Sequence, residues 1–101
     1  METAGKNRPR TRRVTFRVRA DPGSTVFLAG DFNQWNPTAK PMKDAKGTGD
    51  YAVTLNLAPG AYEYKFVING AWSVDPGCAD WAPNNLGTLN SVRKEIGRAH
   101  V

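Results

Sequence analysis

From Arg13 onward the chain alternates, with Val14, Phe16 and Val18 interleaved by Thr15, Arg17 and Arg19. This period of two is the pattern of a half-buried strand. Turn signals then recur too closely for any long helix: Asp21-Pro22-Gly23, Gly30-Asp31, Asn36-Pro37, Gly47-Thr48-Gly49, Pro59-Gly60, Asn69-Gly70, Asp75-Pro76-Gly77 and Asn84 to Gly87. Between them lie short runs rich in β-formers, such as Ser24 to Ala29 and Tyr51 to Leu57. About seven strands at this spacing predict an all-β antiparallel sandwich with an immunoglobulin-like layout.

The stretch from Ala61 to Asp75 is the most informative, because Asn69-Gly70 separates two alternating runs and favours a two-residue type I′ hairpin. With those two residues as the loop, Ile68 pairs with Ala71, Val67 with Trp72, Phe66 with Ser73 and Lys65 with Val74. Opposed residues share a face, as do residues two apart on one strand. Tyr62, Tyr64, Phe66 and Ile68 therefore form one face, and Glu63, Lys65, Val67, Trp72 and Val74 the other. The first set is the core face. The second carries two charges and is expected to meet water, which puts Trp72 on the surface with Lys65 diagonal to it. A large aromatic beside a lysine on a solvated face points to binding rather than packing. The C–H face of a sugar ring stacks on indole, and its hydroxyls bond to ammonium and amide groups.

Charge changes this picture little. The 101 residues carry a formal charge of +5, but residues 1–19 hold seven cations against Glu2 alone, a net of +6. The remaining chain has seven basic and eight acidic groups, so the body is near neutral and lacks the basic stripe of a nucleic-acid binder. Residues 1–12 read as a disordered basic arm, 13–96 as one β-sandwich domain and 97–101 as a flexible tail. No run approaches the roughly 18 apolar residues of a membrane span, and no signal peptide is readable, so a soluble, cytoplasmic protein is expected.

Candidate chemistry is sparse. Cys78 is the single cysteine, which excludes an internal disulfide or a thiolate zinc cluster, and the single histidine, His100, falls in the tail. Cys78 therefore reads as a packed or loop cysteine rather than a nucleophile. Asp21, Asp31, Asp44, Asp50, Asp75 and Asp80 fall mostly at turns, where Asp has structural uses, and no facing pair of catalytic carboxylates is visible. No enzyme activity, cofactor or metal is expected. Asn33 and Asn36 are expected to bond to local backbone, as Asn does in turns, and Asp31 reads the same way.

Three segments in order, VFLAGDFNQWNP, YEYKFVINGAWSVDP and NLGTLNSV, resemble carbohydrate-binding module family 48 from about Val14 to about Val92. That family includes the glycogen-binding domain of the AMP-activated protein kinase β subunit and the early-set domains of isoamylases and branching enzymes. The resemblance implies an early-set sandwich that binds α-1,4-linked glucans such as glycogen or starch. It implies Trp35 and Trp72 as two walls of the sugar site and Lys65 as a hydroxyl donor. It further places Leu86 against a sugar ring, with Thr88 as a contact and the Asn90 amide bonding neighbouring hydroxyls. The implied partners are an α-glucan and, as protein partner, an enzyme of glycogen or starch metabolism or a kinase. Two alternatives stand beside this reading: a docking module that has lost sugar binding, and nucleic-acid binding through the basic arm. The segment from Pro76 to Asn85 departs from the kinase-subunit form at Cys78, Trp81 and Pro83. Trp81 is read as a core plug or else a further sugar contact.

Overall fold

The computed structural model describes residues 11–78, 80–84 and 86–95. Residues 1–10 of the expected arm 1–12 and the tail 97–101 lie outside the described residues, while Arg12, expected in the arm, opens a strand by pairing with Leu57. Seven strands follow in order: β1 Arg12–Arg19, β2 Val26–Gly30, β3 Asp50–Leu57, β4 Gly60–Ile68, β5 Ala71–Ser73, β6 Trp81–Pro83 and β7 Leu89–Glu95. Among the described residues the one helical turn is a short 3-10 element, Asp31–Asn33. All pairings are antiparallel, in a two-stranded sheet β1-β3 and a second sheet β2-β4-β7-β6 with β5 on β4. This is the expected all-β sandwich.

The alternation in β1 buries Val14, Phe16 and Val18 and leaves Arg13 and Arg17 exposed. Those apolar groups meet Leu28, Tyr64 and Phe66 of the second sheet, with Tyr51, Leu55 and Leu57 of β3 completing the core. Phe16 and Tyr64 pack edge to face at 4.9 Å, and Tyr64 and Phe66 at 5.7 Å. Such pairs add about 1 kcal/mol each beyond area burial. Along one side of the sandwich, Arg93 of β7 reaches β1. Its guanidinium lies 5.2 Å over the Phe16 ring, donates to the Thr15 carbonyl at 3.3 Å and pairs with Glu95 at 2.9 Å.

The hairpin forms as its sequence dictates. Asn69 and Gly70 take φ of 50° and 86°, as a type I′ turn requires, and Ile68, Val67 and Phe66 oppose Ala71, Trp72 and Ser73. The expected Lys65–Val74 pair is absent from the ladder. Asp75 pulls the chain away there: its N–H donates to Ser91 Oγ at 2.7 Å and its carboxylate takes the Tyr64 hydroxyl at 2.6 Å. Burial and the Asp75 carboxylate push the Tyr64 phenol well above its ordinary range, so it remains a donor. From Tyr64 back to Gly60, the same edge of β4 is taken by β7. Lys65 thus sits at the gap between the two partners. Val67 also departs from expectation: flanked on the outer face by its partners Phe27 and Trp72, it is buried rather than solvated.

Candidate functional site

The outer face of the larger sheet carries an open groove of about 820 Å³ lined by Trp35, Glu63, Lys65, Trp72, Pro83, Asn84, Leu86, Thr88 and Asn90. All six residues singled out from the sequence line this one groove. They arrive from four separate segments of the chain.

Trp35 is placed by the turn that follows β2. Asn33 fastens that turn: its Oδ1 accepts from Gly30 N–H and its Nδ2 donates to the Leu28 carbonyl, both at 3.0 Å. The backbone then turns through two consecutive left-handed residues, Gln34 and Trp35, with φ of 55° and 58°. Bulky residues adopt this region only at a cost, of order 1–3 kcal/mol. Packing around Asn33 and the bond from Trp35 N–H to the Gly30 carbonyl at 3.0 Å hold it there. The result aims the Trp35 indole at Trp72. The ring centroids are 6.4 Å apart and the planes tilt by 41°. Trp72 is 47% exposed and Trp35 half-buried, so the pair has a free upper surface.

The polar side of the groove is organised by Asn84, which the sequence reading passed over as part of a turn. Asn84 Oδ1 accepts from the N–H groups of Leu86 at 2.9 Å and Thr88 at 3.1 Å. Asn84 Nδ2 donates to Thr88 Oγ1 at 2.8 Å and to Asn90 Oδ1 at 2.9 Å. The loop is thereby folded so that Leu86 stands 86% exposed above the groove. The chain continues from Asn90 Nδ2, which donates to Glu63 Oε1 at 2.9 Å, and Lys65 Nζ donates to Thr88 Oγ1 at 3.0 Å. Asn90 is only 6% exposed and both ends of its amide are engaged. Glu63, placed on this face by strand parity alone, brings the groove the single carboxylate that lines it among the described residues. Replacing Asn84 with alanine is expected to cost about 1–2 kcal/mol and lower Tm by roughly 5–10 °C. Amide exchange should show the Leu86 and Thr88 N–H groups losing protection.

Trp81 is not the core plug that was one of the two readings offered for it. It is 51% exposed, and it does not line the groove. It pairs with Ser91 on β6, at the edge of the larger sheet, where a facing layer of only two strands leaves it uncovered. Cys78 is a half-buried loop thiol, with Sγ 3.1 Å from the Asp80 carbonyl and 3.2 Å from that of Val92. The histidine considered as its base, His100, lies outside the described residues. Among the described residues no group of three or more acidic, histidine or cysteine side chains is placed to hold a metal.

Comparison with known proteins adds a family. The family profile described as the glycogen recognition site of AMP-activated protein kinase matches residues 13–95. Over 64 residues, 63% of this chain, it is 36% identical to the chloroplastic protein FLOURY ENDOSPERM 6 of Oryza sativa subsp. japonica. It is 42% identical over 58% of its length to the chloroplastic PTST homolog 2 of Arabidopsis thaliana, and 34% identical over 72% to the 5'-AMP-activated protein kinase subunit beta-2 of Homo sapiens. The matched segment covers 11–12% of the two plant proteins and 25% of the kinase subunit.

Proposed function

Because the chain belongs to the family of the glycogen recognition site of AMP-activated protein kinase, we propose that it is a non-catalytic module that binds α-1,4-linked glucan in the Trp35–Trp72 groove. The observation that carries this reading is the pair of indoles 6.4 Å apart and tilted by 41°, with polar groups fixed along one side. Each indole offers an apolar plate to the C–H face of a glucose ring. The tilt suits a chain whose successive rings turn, as α-1,4 linkage makes them, better than a flat β-1,4 ribbon. Lys65 donates to hydroxyls, Thr88 adds a hydroxyl contact, and Leu86 closes over the ring from above. Asn90, held between Asn84 and Glu63, offers its remaining N–H and lone pair to neighbouring hydroxyls.

Glycoside hydrolysis commonly needs two carboxylates facing each other across the bond, roughly 5–9.5 Å apart. Among the described residues the groove offers Glu63 alone, which supports a binding role over a catalytic one. A partner that acts on glucan, or a kinase, would gain concentration at the polysaccharide through this module. Among the described residues no helix is long and apolar enough to cross a membrane. The cytoplasm expected from the sequence suits a glycogen ligand, whereas two of the relatives carry a chloroplast in their names.

Tryptophan fluorescence titrated with a linear malto-oligosaccharide tests the reading. Saturable quenching that hardly changes with salt is expected, with no response to cellobiose. Trp81, off the groove, supplies a constant background. A folded protein that answers no α-glucan would overturn the proposal.

A further inference from the structure

The opposite side of the sandwich carries a second surface, of different chemistry. Core burial of Val14, Phe16 and Val18 turns Arg13, Thr15, Arg17 and Arg19 outward on β1. Across the ladder, Arg17 opposes Ala52, and Ala52 is bridged on its other side by Lys43. Opposed residues share a face, so Arg13, Arg17 and Lys43 stand together on the outer face of the two-stranded sheet. Strand geometry sets Arg13 about 13 Å from Arg17 along β1, and Lys43 about 10 Å from Arg17 across the strands. All three are exposed. Among the described residues none of them has an acidic partner: Asp50 is committed to Arg19, and the Asp44 carboxylate accepts from the Thr48 and Gly49 N–H groups.

We propose that this face, on the side of the core opposite the groove, docks an acidic polypeptide segment. Uncompensated like charges gathered on one face of a near-neutral body repel one another, and an anionic partner relieves that repulsion. The side chains between the cations choose the partner class. Thr15, Ala52, Thr54 and Asn56 supply no exposed aromatic, so the face lacks the stacking platform of a single-stranded nucleic-acid site. It also lacks the exposed apolar groups that would enter a membrane. An extended segment with carboxylates four residues apart repeats the Arg13–Arg17 spacing. Because the two surfaces lie on opposite sides of the core, glucan and peptide bind together without contact. This inference does not rest on the glucan reading.

The test is fluorescence anisotropy of a labelled oligo-glutamate peptide with the full chain. Three proteins are compared: the parent, a face variant (Arg13→Gln, Arg17→Gln, Lys43→Gln) and an arm variant of equal charge change (Lys6→Gln, Arg8→Gln, Arg10→Gln). The face variant is expected to lose roughly tenfold in affinity, the sum of three exposed ion pairs of modest strength. The arm variant should lose much less, and malto-oligosaccharide quenching should be unaltered in both. Equal or greater loss in the arm variant overturns the proposal, as does peptide that is displaced by malto-oligosaccharide. Oligothymidylate of matched charge that binds as tightly, and is equally weakened by the face variant, would overturn the assignment to a polypeptide.

Discussion

Trp72→Ala is expected to weaken malto-oligosaccharide binding about 30-fold while leaving the fold in place. An indole face that covers on the order of 80 Å² of sugar contributes roughly 2 kcal/mol at the usual area coefficient, which is the energy of that factor. The site is shallow and open, so little else compensates. Stability should change by under about 1 kcal/mol, because Trp72 is already half in water and sits on a three-residue edge strand. The loss must therefore appear in the binding isotherm at an unchanged melting temperature. Retention of affinity within threefold would mean that Trp72 is a cover for Val67 and not a sugar plate.

Gly30→Ala should be the most damaging single methyl group. The φ of Gly30 is extended, at −177°, so its backbone would suit any residue. Space is what forbids one. A Cβ there would lie 2.6 Å from the Glu63 carbonyl oxygen, 2.7 Å from Phe32 Cζ and 2.9 Å from Tyr64 Cβ. Phe32 can swing aside, but the Glu63 carbonyl and Tyr64 Cβ belong to β4, the partner strand of β2, and cannot. Overpacking of this kind costs about 2–3 kcal/mol, or roughly 10–20 °C in Tm for a domain of this size. Glucan affinity should fall with it, since Gly30 also accepts the Trp35 N–H and donates to Asn33. Gly23→Ala is the control: its φ is +85° and its Cβ would meet nothing, so only the cost of a left-handed alanine, about 1 kcal/mol, is expected. Equal melting temperatures for the two variants would refute the packing argument.

Strand parity and one Asn-Gly turn were sufficient to place Lys65 and Trp72 on a common face, because both rules are local and leave little freedom. The same rules reached Glu63 without disclosing its bond to Asn90, since that contact joins β4 to β7. The expected Lys65–Val74 pair failed for a related reason. Nothing within the hairpin announces that Ser91 and Tyr64 will capture Asp75. Trp35, Leu86, Thr88 and Asn90 entered through family resemblance alone, and their convergence on one groove is a product of tertiary structure. Trp81 was misjudged because large aromatics favour burial, while its exposure depends on how far the opposing sheet extends. Asn84 was legible only as a turn residue. Its six side-chain and backbone bonds to the loop and to Asn90 appear once Thr88 and Asn90 are brought around it.

Arg93 bears on how copies of this chain behave when they are crowded together. Among the described residues β1 has a strand neighbour on one side only, so its other margin would offer carbonyls to the β1 of another molecule. The guanidinium occupies the Thr15 carbonyl and is anchored by Phe16 and Glu95, which breaks the row of acceptors at its middle. A branched polysaccharide gathers its ligands at high local density, the condition under which open sheet margins zip together into fibrils. With that margin interrupted, copies gathered on the proposed glucan are expected to dissociate one by one rather than to zip together.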